Sequence, residues 1–466
     1  KLASCNTLGI PSIGRRQAQP HACPQRVAVL SLQRICAHSC KAAKTSIAAA
    51  CQLHQARQMR LLRRAIAMSA GAARSLSTSR VTGLAPGPFA VGVRTIQLTD
   101  ESRQEDGAPR QLQTEVWYPA AQTDAKPSAF SDFLCGVAAP PKEIIQAAEK
   151  PDAIGGYADG LTIDKIDENW PCVAVRGASI NTEERWPVVA FSHGSGAYRA
   201  SYAFWTEHLA SHGYVVCACD HPGSARFTVI DGQVITPGGE RSKRSRMERD
   251  RVADIKIILD GVIADLGDAV DADKCAVTGM SFGGWTTAAY CERNDPRIKA
   301  AVLMCPSLAM SDAGRLSKGH ASTVPALVMV GREDTVIGVE GNAAAQDYAT
   351  QHQGPAAYLE IVRGGHCSFT SCDLYNAAYG NGIGPSKSLA GGTYEPLDIA
   401  EQHAVCNEYG LAFLDAHLRA EPVDRLFERR MSEVRLALFC RSLLSGCAGK
   451  APRRRRGKWR EGERRR

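Results

Sequence analysis

"AVTGMSFGGWTTAAY", Ala276 to Tyr290, decides how the rest of the chain is read. Its apolar start runs as a strand to Thr278, Gly279-Met280-Ser281-Phe282-Gly283 makes a turn, and a helix follows at once. Glycines two residues before and two after Ser281 leave room for a sharp strand-to-helix bend that lifts a serine hydroxyl clear of a sheet edge. A Gly-x-Ser-x-Gly match alone is weak, but between a strand and a helix it marks a nucleophile, and Ser281 is taken as one.

The flanks repeat the same architecture. Short continuous apolar runs, "PVVAFSH" (187–193), "YVVCACD" (214–220), "KCAVTGM" (274–280), "AAVLMCP" (300–306), "PALVMVG" (325–331) and "AAYLEIV" (356–362), alternate with helical segments. The helices are expected at Ala200–Ser211, from about Arg246 to Leu266, from Phe282, at Gly341–His352 and at Ile399–Leu418. Runs that are apolar throughout are strands buried on both faces, so the fold class is α/β, a mostly parallel central sheet with helices on both faces. Ahead of it, "FAVGVRTIQLTD" and "RQLQTEVWYPA" read as an antiparallel pair joined by a polar loop, Glu101–Pro109.

A serine at its free pKa is a poor nucleophile and needs an imidazole to take its proton. In a sheet of this kind the acid and then the base follow the nucleophile along the chain. His366 in "IVRGGHCSF" sits after the last strand and before the final helix, in preference to His320, His352 and His403. Asp334 follows the strand that ends at Gly331 and is taken as the acid. Its neighbour Glu333 reads as solvated, and Asp312 is the runner-up. Two backbone N–H groups must face the developing oxyanion. Phe282 supplies one from the residue after the nucleophile, and Ser195 in "FSHGSGAY" supplies the other. Tyr198, near that donor, and Met280 are read as lining the acyl pocket. Tyr202, Phe204, Trp205 and Trp285 read as core.

Four long stretches, "VVAFSHGSGAYRASYAFWTEHLASHGYVVCACDHPGSA" (188–225), "DADKCAVTGMSFGG" (271–284), "RGGHCSF" and "GLAFLDAHL" (410–418), resemble the platelet-activating factor acetylhydrolase family of α/β-hydrolases. The resemblance covers roughly residues 86–420. It implies the α/β-hydrolase fold and hydrolysis of a short or oxidised acyl chain from a glycerophospholipid, with no metal and no cofactor. In the animal enzymes the acid directly follows the strand matching "AAVLMCP", where this chain has Cys305. The acid is therefore expected one strand later, at Asp334, as in the related dienelactone-hydrolase-like and polyester-hydrolase branch. That departure leaves ester chemistry intact and opens a general short-chain or polyester-type esterase as the alternative. Two further alternatives are a peptidase or thioesterase on the same fold, and a ligand-binding protein without turnover.

Charge separates the tails from the middle. Residues 1–99 hold 14 Lys and Arg and no acid, residues 450–466 carry a net +8, and the whole chain carries +8, so residues 100–449 carry −14. An acidic middle argues against a nucleic-acid partner. The expected partner is a small-molecule ester or phospholipid, with peripheral membrane contact. Residues 1–83 read as a basic tail, "MRLLRRAIAMSAGAARSLSTSR" (59–80) having the look of a transit peptide that starts at Met59 and leads to mitochondrion or plastid. Residues 84–445 read as the catalytic domain, with a lid-like insertion at about 120–185, and 446–466 as a basic disordered tail. The basic run "ERSKRSRMERDR" (240–251) reads as a solvated helix face, and "CDLYNAAYGNGIG" (372–384) as a pocket wall. The 17 cysteines read as small apolar thiols, with Cys367 and Cys372 as the one pair worth watching for a bridge.

Overall fold

The computed structural model describes residues 86–105, 107–134, 142, 167, 172–310, 321–371, 386–422 and 434–439. The expectations for 1–83, for most of the insertion at 120–185, for Asp312, His320 and 372–384, for the Cys367–Cys372 pair and for the tail 446–466 fall on or depend on residues outside that set.

Among the described residues ten strands form one sheet: β1 (Ala90–Glu105), β2 (Ala108–Ala120), β3 (Val175–Arg176), β4 (Trp186–Ser192), β5 (Val215–Cys219), β8 (Val270–Met280), β9 (Ile298–Met304), β10 (Ala326–Gly331), β11 (Ala356–Ile361) and β14 (Val434–Phe439). Their spatial order is β14-β11-β10-β9-β8-β4-β5-β2-β1-β3. From β5 to β11 neighbouring strands are parallel, while β2 pairs antiparallel with β5 and with β1. Two small antiparallel hairpins stand apart, β6 (Thr228–Ile230) with β7 (Gln233–Ile235), and β12 (Ser386–Lys387) with β13 (Thr393–Tyr394).

Helices cover both faces, and strand alternation decides which residue meets which helix. Val189 and Phe191 of β4 face one core, packed with α1 (Ala203–Ser211) and α5 (Ile399–Leu418) through Trp205, Leu209, Phe413 and Leu414. Val188 and Ala190 face the other, against α2 (Arg244–Leu266), α3 (Phe282–Cys291) and α4 (Gly338–Gln351) through Ile255, Leu259, Trp285 and Tyr348. Burying a side chain of this size contributes on the order of 2 kcal/mol, so these two layers supply the main driving force for folding.

Three expectations need correction. The polar stretch 101–109 is mostly strand, because β1 runs on to Glu105 through a register shift between Asp100 and Gln104, and the turn is confined to residues around Gly107 at φ 86°. The charged side chains there are drawn inward: Arg103 and Arg110 both reach Asp254 on α2. Next, β14 pairs antiparallel with β11, Ala356 opposite Phe439 and Ile361 opposite Val434, where no strand was expected. Last, the run 240–251 is not a solvated face throughout. Arg244, Arg246 and Arg249 pair with Glu248 or Asp250, whereas Glu248 and Arg251 are fully buried. No helix among the described residues is long and apolar enough to cross a membrane.

Candidate active site

Parallel strands β4, β8, β10 and β11 end at one edge of the sheet, and the residues singled out by the sequence follow those ends. Ser281 comes directly after β8, with φ 55° and ψ −115°, a left-handed conformation that a non-glycine residue adopts only when its surroundings impose it. Ser281 N–H donates to Met304 O (2.8 Å), and Ser281 O accepts from Ser307 N (3.0 Å) and Trp285 N (3.1 Å). The two glycines are required by contact: a Cβ on Gly283 would stand 1.8 Å from Ser192 O, and one on Gly279 would stand 2.4 Å from Gly283 O. Ser281 is half-buried, and its hydroxyl makes no hydrogen bond among the described residues.

Past β11, His366 Nδ1 lies 2.6 Å from Asp334 Oδ2, past the end of β10. Asp334 has no exposed surface, and its other oxygen accepts from the N–H groups of Val336 (3.0 Å) and Ile337 (2.9 Å) at the start of α4. A carboxylate held this way has one free direction, toward His366, so the imidazole carries its proton on Nδ1 and turns Nε2 outward. Cys305, at the end of β9, completes the surroundings: its sulfur, an Asp334 oxygen and a His366 nitrogen all lie within 4.8 Å of one another. Burial and the Asp334 charge push the Cys305 thiol well up, so it stays protonated beside the pair.

The loop after β4 is pinned peptide by peptide. Gly194 N–H donates to Tyr202 Oη (2.8 Å), Gly194 O meets His193 Nδ1 (2.6 Å), and Gly196 N–H donates to Ser224 O (3.0 Å). Ser195 itself is exposed, and neither its N–H nor that of Phe282 donates to a partner among the described residues. The carbonyl of the peptide 194–195 is held from one side, so its N–H points away from that side with little freedom.

Met280 is buried and accepts from Tyr202 Oη through its sulfur (3.4 Å). Tyr198 is buried between Phe130 (6.2 Å) and Phe227 (5.1 Å). Glu333 is engaged, accepting from Ser388 Oγ (2.8 Å) and Leu389 N (2.9 Å), so it ties the β12–β13 hairpin beside the site. His403 is buried, stacked on Phe204, with Nε2 3.0 Å from Thr370 O, and His352 Nε2 lies 2.8 Å from Val324 O.

Sequence reasoning passed over a buried polar cluster behind the loop: Ser192, His193, His221, Arg251 and Asp254. The signal was present as polar residues at inward positions of otherwise apolar runs, in "FSH" after β4, "DHP" after β5 and "RVAD" on α2.

An elbow serine, a histidine–carboxylate pair and a pinned loop lie on one edge of the ten-stranded α/β sheet, the arrangement of the α/β-hydrolase fold, and comparisons with known proteins agree on that fold. Residues 85–233 match the family model for platelet-activating factor acetylhydrolase, isoform II, and residues 183–318 match that for serine aminopeptidase, S33. Both stretches are thus similar to serine hydrolases of the α/β-hydrolase fold, the platelet-activating factor acetylhydrolases among them.

The chain is 33% identical over 142 residues to a platelet-activating factor acetylhydrolase of Canis lupus familiaris, a match covering 23% of this chain and 32% of that one. It is 28% identical over 183 residues to cutinase est2 of Thermobifida alba, covering 38% and 52%. The chain thus spans about a third of the length of the first of these relatives. A ferulic acid esterase from Streptomyces cinnamoneus superposes with a TM-score of 0.57 over 76% of this chain and 98% of that one at 23% identity, a likeness of fold.

Proposed function

We propose that the protein is a serine carboxylester hydrolase working through an acyl-enzyme. The observation that carries this reading is the buried His366–Asp334 pair on the same sheet edge as the strained Ser281. Ser281 Oγ attacks the ester carbonyl while His366 Nε2 takes its proton, and Asp334 holds the ring and offsets the imidazolium charge. The N–H groups of Ser195 and Phe282 receive the oxyanion. As the tetrahedral intermediate collapses, His366 returns the proton to the departing alcohol. A water, deprotonated by the same imidazole, then releases the acid and restores Ser281. Every proton in this cycle is moved by the chain's own residues.

For the substrate, the family match over 85–233 supports a glycerophospholipid with a short sn-2 acyl chain, as for 1-alkyl-2-acetylglycerophosphocholine. A general short-chain or polyester-type ester is the second reading, favoured by the position of Asp334 after β10 and by the cutinase likeness. Tyr198 and Met280 are proposed to border the acyl group. One catalytic domain over 84–445 is proposed, and the acid-free 59–80 segment supports, by composition, delivery to mitochondrion or plastid.

The test is hydrolysis of p-nitrophenyl acetate, butyrate and octanoate and of a short-chain sn-2 phosphatidylcholine. Preference for the phospholipid over the simple esters supports lipid catabolism. Equal or better turnover of the simple esters supports the second reading, and no turnover of any of them overturns the esterase.

A further inference from the structure

Behind the site, the proposed reaction leaves a set of buried polar groups unused. Ser192 Oγ lies 2.9 Å from His221 Nε2, and His221 Nδ1 lies 2.9 Å from Asp254 Oδ2, the atom order of a second nucleophile relay. It cannot act as one, because all three side chains have zero exposure and no ester reaches the Ser192 hydroxyl. A cation is also excluded by chemistry. Both nitrogens of His221 are engaged, and Asp254 already takes Arg110 through both oxygens (2.9 and 2.8 Å) and Arg103 (2.7 Å). What remains is a supporting role, and its contacts say what it supports.

Arg251 is the hub. One terminal nitrogen donates to His193 O and to Ser192 Oγ (3.0 Å), and the other donates to Ser224 Oγ (2.6 Å). Nε donates to Thr286 Oγ1 (3.1 Å), whose hydroxyl donates to Phe282 O (2.9 Å), and the guanidinium lies 4.5 Å over the Phe282 ring. The first set fixes the loop on both sides of Ser195, since Ser224 O holds Gly196 N–H and His193 in turn holds Gly194 O. The second set fixes Phe282. A fully buried guanidinium with no carboxylate in ion-pair reach among the described residues is costly to keep, and a planar fork of five donors is what these divergent acceptors require.

We propose that Arg251 is a positioning residue that locks the Ser195 and Phe282 N–H groups into one geometry for the oxyanion. This rests on the ester-hydrolase reading of the site. Loss of the fork lets the two donors drift apart, which weakens the transition state while leaving ground-state binding alone.

The test uses the full chain with Arg251→Met and Arg251→Lys. Three readouts are taken: steady-state hydrolysis of p-nitrophenyl butyrate, inhibition by an alkylboronic acid that forms a tetrahedral anion on Ser281, and thermal unfolding. The expected result for Arg251→Met is a kcat lower by about 10²-fold, KM within about threefold, and boronate affinity weakened by the same factor as kcat. Lysine keeps the charge without the fork and should lie nearer to methionine than to wild type. If Arg251→Met does not fold, Thr286→Val and Ser224→Ala each cut one tether, and a loss of several-fold in both kcat and boronate affinity is expected from each. Folded variants with wild-type kcat and boronate affinity, or with a change in KM alone, overturn the proposal. An inactive wild type that also ignores the boronate overturns the ester-hydrolase reading and this inference with it.

Discussion

At the scale of single residues, the site depends on backbone that only its neighbours can hold. Ser281 keeps a positive φ because Met304 O and Ser307 N grip its peptide from the adjoining strand end. Replacing Gly283 by alanine drives a methyl to 1.8 Å from Ser192 O, so Gly283→Ala should cost about 3 kcal/mol or more, read as a lowered urea midpoint. A midpoint equal to wild type would mean that the elbow and β4 are further apart than described. Asp334→Asn keeps the shape but offers His366 an amide, so kcat should drop by roughly 10³ to 10⁴ with KM little changed. A loss below tenfold would move the acid to another residue. The order of Ser281, Asp334 and His366 was legible because each follows a strand end in a repeating pattern. Arg251 was not, because a buried arginine inside a charge-rich helix start is indistinguishable in sequence from its paired neighbours Arg244, Arg246 and Arg249.

Elements were legible in proportion to how apolar they are. The expected strands after residue 185 and the helix Ile399–Leu418 appear within a residue or a few of their predicted bounds, since continuous burial leaves an unmistakable run. The helix expected from Ala200 starts at Ala203, and the one expected from Gly341 starts at Gly338. The continuation of β1 through 101–105 was hidden by its charges, which pair inward with α2. That pairing gives a prediction for the element. Asp254 on α2 is fully buried, and against that burial the Arg110 guanidinium, with a hydrogen bond from His221, holds its carboxyl far below the usual range. Arg110→Met removes the larger share of that compensation, so the protein should lose about 3–5 kcal/mol in urea unfolding. A loss under 1 kcal/mol would show that Arg103 alone satisfies Asp254.

For the whole molecule, burial of histidines makes stability depend on pH. His193, His208 and His221 are buried and their pKa values are depressed, that of His221 to about 3, chiefly by desolvation. Below pH 6.5 the unfolded chain therefore takes up protons at these sites before the folded chain does, at His221 down to about pH 3. Stability should be level with respect to them above about pH 6.5 and fall below it, by about 1.4 kcal/mol per pH unit for each histidine. Glu207 acts the other way. Burial raises it to about 7 although it accepts from Val173 and Ala174 N–H, so its contribution declines as pH rises from 4.5 to 7. His417 is lowered by burial as well and buried Asp220 is raised, so four histidines stand against two acids, and urea midpoints should decrease from pH 6.5 to 4. Midpoints that increase over that range would put the proton balance with the two acids instead.

The central claim, that Ser281 is a nucleophile activated by His366, is tested most directly by labelling. The chain is treated with an alkyl fluorophosphonate, whose fluoride is displaced by an activated serine oxygen, and the adduct is located by peptide mass spectrometry. One adduct on Ser281, absent from Ser281→Ala and slowed by about 10³-fold or more in His366→Ala, is the predicted result. A folded protein that takes no label, or takes it at a serine other than Ser281, would contradict the account.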